Sequence, residues 1–190
     1  VLGSRGLGDV YKRQVQLSGG NKSVRTQASF SYDEVDGLYA GRDFRRLMFR
    51  INNDFNISKY ISASLDVNIR NAKSNNTQFS PWEDMRRMPA IYPAIWENGG
   101  IAEGKSGANP WALLNYGGWS KSRSTQVGGK ASITIKPIDG LSIQAIVSPF
   151  INYTRGTGFR YGVQRVSKDD PMLQTGWLEG NGSVWSSNNL

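Results

Sequence analysis

The sequence predicts an all-β chain: antiparallel hairpins forming part of a transmembrane β-barrel, about six strands, with long extracellular loops that carry a short helix. Three observations predict it. Four stretches between Val24 and Tyr153 alternate apolar and polar residues with period two, as strands with one greasy and one wet face do. The connections between strands alternate short and long, which is the parity of hairpins whose two ends sit in different surroundings. No run of eighteen apolar residues exists, so no helix spans a membrane; barrel strands need none, because only alternate residues meet lipid.

Val15 to Gly19 reads as the end of a strand, and Gly19-Gly20-Asn21-Lys22 as a tight turn. The second strand runs from Ser23 to about Asp33, with Val24, Ala28, Phe30 and Tyr32 on one face against Arg25, Gln27, Ser29 and Ser31. A loop over 34–42 leads to a third strand, Asp43 to Ile57. Its odd positions Leu47, Phe49, Ile51, Phe55 and Ile57 are apolar, and only Met48 on the wet face and Asn53 on the greasy one break the pattern. Ser58-Lys59-Tyr60 is a short turn. In the fourth strand, Ile61 to Asn71, the residues Ile61, Ala63, Leu65, Val67 and Ile69 oppose Ser62, Ser64, Asp66, Asn68 and Arg70.

Regularity then stops over 72–123, a connection of about fifty residues, far longer than a compact domain tolerates without structure or function. Within it, Asn109-Pro110-Trp111-Ala112-Leu113-Leu114-Asn115-Tyr116 has helical grammar: Asn as N-cap, Pro in the first turn, Gly117 as the stop. The fifth strand starts at Ser124, with Val127, Ala131, Ile133 and Ile135 facing away from Gln126, Lys130, Ser132, Thr134 and Lys136. Pro137-Ile138-Asp139-Gly140 is the next tight turn. The sixth strand, Leu141 to Tyr153, is followed by a terminal loop over 154–190. The short turns at 19–22, 58–60 and 137–140 are every second connection, which places them together on the periplasmic side of the expected barrel.

Residues 1–14 follow no such pattern. Leu7-Gly8-Asp9-Val10-Tyr11-Lys12-Arg13-Gln14 resembles a translated sequencing-adapter scar and is set apart from the expected barrel fragment, 15–190. Gly6-Leu7-Gly8-Asp9-Val10-Tyr11-Lys12 mimics a glycine-rich phosphate loop, but no lysine-bearing strand follows in the required place.

The chain has no cysteine and no histidine, so disulfides, thiolate nucleophiles, histidine bases and zinc sites built on those ligands are excluded. The net charge is +8. Nucleic acid is not the expected partner, because the arginines sit mainly on wet strand faces interleaved with Asp43, Asp54 and Asp66. The carboxylates lie in loops or on strand faces without a paired acid and base, so no catalytic residues and no enzyme activity are expected. Asp169-Asp170 and Glu83-Asp84 lack the spacing of a known calcium loop and read as solvated turns; neither a metal nor a cofactor is expected. Aromatic residues at strand ends, Phe30, Tyr32, Phe55, Tyr60, Phe150 and Tyr153, are candidates for interfacial girdles.

Several segments carry a family resemblance through their order and spacing. They are Leu17-Ser18-Gly19-Gly20-Asn21-Lys22, Ala28-Ser29-Phe30-Ser31-Tyr32, Arg50-Ile51-Asn52-Asn53-Asp54-Phe55, Arg86-Arg87-Met88-Pro89-Ala90-Ile91-Tyr92-Pro93, Glu97-Asn98-Gly99-Gly100 and Asn109-Pro110. Together they resemble the SusC/RagA family of TonB-dependent outer-membrane transporters of Bacteroidetes, over about Val15 to Tyr153. The resemblance implies an early portion of a much longer barrel of about 22 strands around a plugged lumen. It also implies localisation in the outer membrane, contact with outer-membrane lipid, and import of oligosaccharides or peptides. Its implied partners are a SusD-like surface lipoprotein and the TonB complex, the latter acting through a plug region that this sequence lacks.

On that reading Trp82, Tyr92, Trp96, Trp111, Tyr116 and Trp119 line the vestibule and bind glycan, peptide or the partner lid, since indole and phenol rings stack on sugars and bury well in interfaces. All six tryptophans fall in the two expected long loops, so the same rings also suit a small core of the loop itself. Arg46, Arg50, Asp66, Arg70 and Lys130 are the lumen-facing polar residues, either meeting a plug or lining a hydrated wall. The rival fold is a secreted soluble β-sandwich, such as a carbohydrate-binding module, in which a second sheet buries the greasy face.

Overall fold

The structure is a computed structural model that describes residues 10–178 and 183–189. It is all-β in antiparallel hairpins, with ten strands among the described residues rather than about six. The main sheet holds β1 (Val10–Gly20), β2 (Val24–Asp36), β3 (Asp43–Asn56), β4 (Ile61–Thr77), β5 (Gly118–Ile138), β7 (Phe150–Arg160) and β10 (Ser183–Asn189) in that spatial order. Strand β6 (Leu141–Val147) also pairs with β5, and β8 (Val163–Val166) with β9 (Gln174–Leu178) makes a separate hairpin.

The expected hairpins form where alternation is strict, and their strands extend further than alternation reveals. β1 begins at Val10, because β2 templates its backbone: the ladder runs from Val10↔Val35 to Gly20↔Arg25. β4 continues to Thr77 and β5 starts at Gly118, so the long connection covers 78–117 rather than 72–123. These extensions are polar on both faces, and alternation has nothing to mark there. The sixth strand appears as β6 and β7, interrupted at Ser148-Pro149, where proline has no N–H to give the ladder. Gly129 N–H still donates to Pro149 O at 2.9 Å, so β6 and β7 follow one track along β5. The described residues of the expected terminal loop over 154–190 include strands: β7 runs to Arg160, and β8, β9 and β10 come after it. At the β5–β6 turn, Gly140 supplies φ = 86°, a left-handed conformation costly for any side chain.

The chain divides into two compact units. Unit 1 comprises 10–74, 122–155 and 188–189 of the described residues. In β2–β3 the apolar rows are Ala28↔Ile51, Phe30↔Phe49 and Tyr32↔Leu47, and in β5–β6 they are Ala131↔Val147, Ile133↔Ala145 and Ile135↔Ile143. That face is open: Phe30, Phe49, Leu65, Ile69, Val127, Ile133, Ile143 and Ile151 are all exposed. Asn53, the polar exception on it, is matched across the ladder by Thr26, whose hydroxyl donates to Asn53 Oδ1 at 2.8 Å.

Unit 2 comprises 75–121, 156–178 and 183–187 of the described residues. Helix α2 (Pro110–Tyr116) forms as its grammar demands. Asn109 Oδ1 accepts from Ala112 N–H at 2.9 Å, Pro110 opens the first turn, and Gly117 N–H closes onto Leu113 O. Its buried face, Ala112 and Leu113, packs with Val163 and Leu178, flanked by Phe79 and Ile101. A short helix α1 (Trp82–Arg87), which the sequence pattern does not announce, precedes it.

Candidate functional site

The wet face of unit 1 collects the five polar residues singled out in the sequence. Arg46 lies across the ladder from Asp33, and its Nε and Nη2 donate to Asp33 Oδ2 at 2.8 and 2.6 Å. Asp33 is buried, so this charge-assisted fork anchors the Arg46 guanidinium. Arg50 Nε donates to Asn52 Oδ1 at 3.1 Å, and Arg70 Nη1 to Gln126 Oε1 at 3.3 Å. The Ser64–Ser132 hydroxyl pair at 2.7 Å fixes the β4–β5 register, which sets Asp66 opposite Lys130. A concavity of about 630 Å³ opens near the β1–β2 turn, lined by Arg25, Gln27, Arg50, Asn52, Asp54 and Asp66 among others. It offers cations, carboxylates and amides together, a surface for polar ligands or water and not for an apolar one. Sequence patterning does not single out Asp33; the available signal is its parity with Arg25 and its position opposite an arginine.

Unit 2 sorts the aromatic candidates differently from the sequence. Trp119 lies in β5, Trp177 in β9 and Trp185 in β10, so three of the tryptophans belong to strands and not to loops. Trp119 is missed because the extension of β5 carries no alternation of apolar and polar residues, and Trp177 and Trp185 because β9 and β10 are short strands inside the expected terminal loop. Trp111 and Tyr116 form an edge-to-face pair on α2, with centroids 5.8 Å apart, and both are exposed. Lys121 Nζ lies 4.7 Å from the Trp119 ring centroid. Trp82, on α1, and Tyr92 are exposed as well. Trp96 is anchored instead: its indole N–H donates to Val166 O at 3.0 Å. The buried cluster in this unit therefore consists of Ala112, Leu113, Val163 and Leu178, while five of the six aromatic candidates stay at the surface.

The segment before α2 is clasped to the β8–β9 hairpin. Val166 N–H donates to Ile101 O, Asn98 Nδ2 reaches Ser167 O and Lys168 O, and Arg165 pairs with Glu103 at 2.6 Å. Gly107 and Gly176 leave room for the Arg165 guanidinium. Trp185 is held similarly, its indole over Gly156 and Gly158 and its N–H donating to Gln78 Oε1 at 3.2 Å.

The acidic pairs are engaged locally. Glu83 pairs with Arg86 and Arg87 along α1, and Asp170 Oδ1 accepts from Met172 N–H. Among the described residues no group of three carboxylate, histidine or cysteine side chains converges as a metal site would require.

No family model matches the chain, and no curated protein matches it. Its fold is similar to part of the solved structure of the RagAB peptide importer in the "closed-closed" state, with a TM-score of 0.59 at 17% identity. The likeness covers 86% of this chain and 19% of that one.

Proposed function

We propose that this chain is a wall segment of a TonB-dependent outer-membrane transporter of the SusC/RagA type. In this reading the odd-numbered face of β3–β7 meets lipid, the wet face lines the lumen, and the long connection over 78–117 is extracellular. Cargo is an oligosaccharide or peptide, passed with a SusD-like lipoprotein lid; the chain itself catalyses no reaction. The observation that carries the reading is the open apolar face of unit 1. An uncovered face of this size belongs against another apolar phase, and the nine-residue span from Ile61 to Ile69 matches a lipid-facing band. The likeness in fold to a peptide importer supports the same class and puts peptides first among the cargoes to be tried. Trp111 and Tyr116 are the ring pair best placed to meet cargo or lid.

The test is refolding of the chain by dilution from urea into buffer, detergent micelles or lipid vesicles. Cooperative unfolding and protease resistance are expected only with detergent or lipid. A soluble monomer that unfolds cooperatively in buffer alone sinks the reading and returns the soluble sandwich.

A further inference from the structure

The apolar face of unit 1 ends abruptly, and a row of cations stands just past its edge. Asn71 Nδ2 donates to Thr125 Oγ1 at 2.7 Å, which sets these residues opposite each other on β4 and β5. Two residues further along this antiparallel pair, Lys73 falls opposite Arg123. Thr154 Oγ1 donates to Ser124 Oγ at 3.3 Å, which sets Arg155 opposite Arg123 from the other side. Lys73, Arg123 and Arg155 thus form one row across three neighbouring strands. All three are exposed, while the adjoining Ala72, Ser122, Ser124 and Thr154 are buried or half-buried. Their parity is that of Ile69, Val127 and Ile151, so the cations stand on the apolar side of the sheet, one polar row beyond its rim.

Like charges directly opposite in a ladder repel, and none of these three makes an ion pair among the described residues. The acidic groups on that face are engaged or set apart. Glu34 is taken by Arg45 at 2.9 Å, and Asp36 faces Asp43 one row further out. Neighbouring strands lie about 4.8 Å apart, so the three Cα atoms of the row span about 10 Å, a width from which long lysine and arginine side chains converge on one phosphate.

We propose that Lys73, Arg123 and Arg155 bind the phosphate of an anionic lipid headgroup, the acyl chains of the same lipid lying on Ile69, Val127 and Ile151. The proposal rests on the membrane reading above and adds a lipid class to it. Continuity with the apolar band selects a lipid over a soluble anion, since one molecule then satisfies both the cations and the greasy rows.

Flotation of the refolded chain with vesicles tests it, using phosphatidylcholine alone and phosphatidylcholine mixed with phosphatidylglycerol. At about fivefold per interfacial cation, the wild-type chain prefers the anionic vesicles by roughly 100-fold. K73Q/R123Q/R155Q brings that preference close to parity and leaves binding to neutral vesicles unchanged. R86Q/R87Q/K105Q removes the same charge from unit 2 and keeps the preference. A row variant that retains the preference overturns the proposal, as does a wild-type chain without one, which leaves the row to an acidic protein. Loss of the preference in millimolar inorganic phosphate at constant ionic strength also overturns it, in favour of free phosphate. Flotation with neither vesicle is a different outcome: it removes the membrane reading itself.

Discussion

The two units of this chain solve the problem of apolar residues in opposite ways. Unit 2 buries them: Ala102, Ala112, Leu113, Val163 and Leu178 are all below a tenth exposed. Unit 1 holds more residues and longer strands, yet Ala72 is its only buried hydrophobic among the described residues. Its polar side chains pair across strands, through Arg46–Asp33, Ser64–Ser132 and Asn71–Thr125. Unit 2 is organised like a small water-soluble domain, greasy inside. Unit 1 leaves its aliphatic rows uncovered on one face of the sheet and carries Asp33, Arg46, Arg50, Asp66, Arg70 and Lys130 on the other.

Substitutions that suit one solution and offend the other sharpen this contrast. The largest effect is expected from Leu113→Ala, which leaves a cavity in the only compact apolar cluster of unit 2 among the described residues and costs about 2–5 kcal/mol. Hydrogen exchange should speed up in α2, β8 and β9 and stay unchanged in β2 and β3; equal acceleration in both would show that the units unfold together. Next comes Val67→Arg, on the greasy face of β4, with a loss of about 2–4 kcal/mol in vesicle-bound stability near the bilayer centre. Ser64→Arg, on the wet face of the same strand, should cost far less in urea titrations of the same vesicles. Equal costs would remove the distinction between the faces. The smallest effect belongs to Glu34→Gln, which weakens the pair of half-buried Glu34 with exposed Arg45 for about 1 kcal/mol. A larger loss would mean that this pair, and not the apolar rows, holds β2 to β3.

The same contrast explains how much was legible in the sequence. Period two shows only where one face is apolar, so β2 to β6 are readable within the greasy band and lost beyond it. Thr77 and Gly118, the inner ends of β4 and β5, lie where both faces are polar, and for that reason alternation assigns Trp119 to a loop. Helix α2 is legible because Asn109, Pro110 and Gly117 are local signals with local partners. β8 and β9 are not, since four- and five-residue strands held by Arg165, Trp96 and Asn98 depend on contacts some seventy residues away in the case of Trp96 and Asn98. Parity alone gathers Arg46, Arg50, Asp66, Arg70 and Lys130 onto one face. It holds no information on which aromatic rings pair.

The Thr26–Asn53 bridge has a consequence for how this sheet assembles. Each of these groups lies on the greasy face, between the Val24↔Phe55 and Ala28↔Ile51 rows, and their hydrogen bond forms only when β2 and β3 meet in the native alignment. A slip by one residue would turn Asn53 away from Thr26 and the greasy rows toward the wet side; a slip by two would keep the faces and strand the amide among methyl groups. Aliphatic rows tolerate the second error, because Ile51 packs on Phe30 nearly as well as on Ala28. The amide does not, since its oxygen would lose the Thr26 hydroxyl and sit unpaired among apolar side chains, at a cost of about 1–3 kcal/mol. One hydrogen bond thus serves as a proofreading device for strand alignment, checking the error that hydrophobic patterning by itself lets pass.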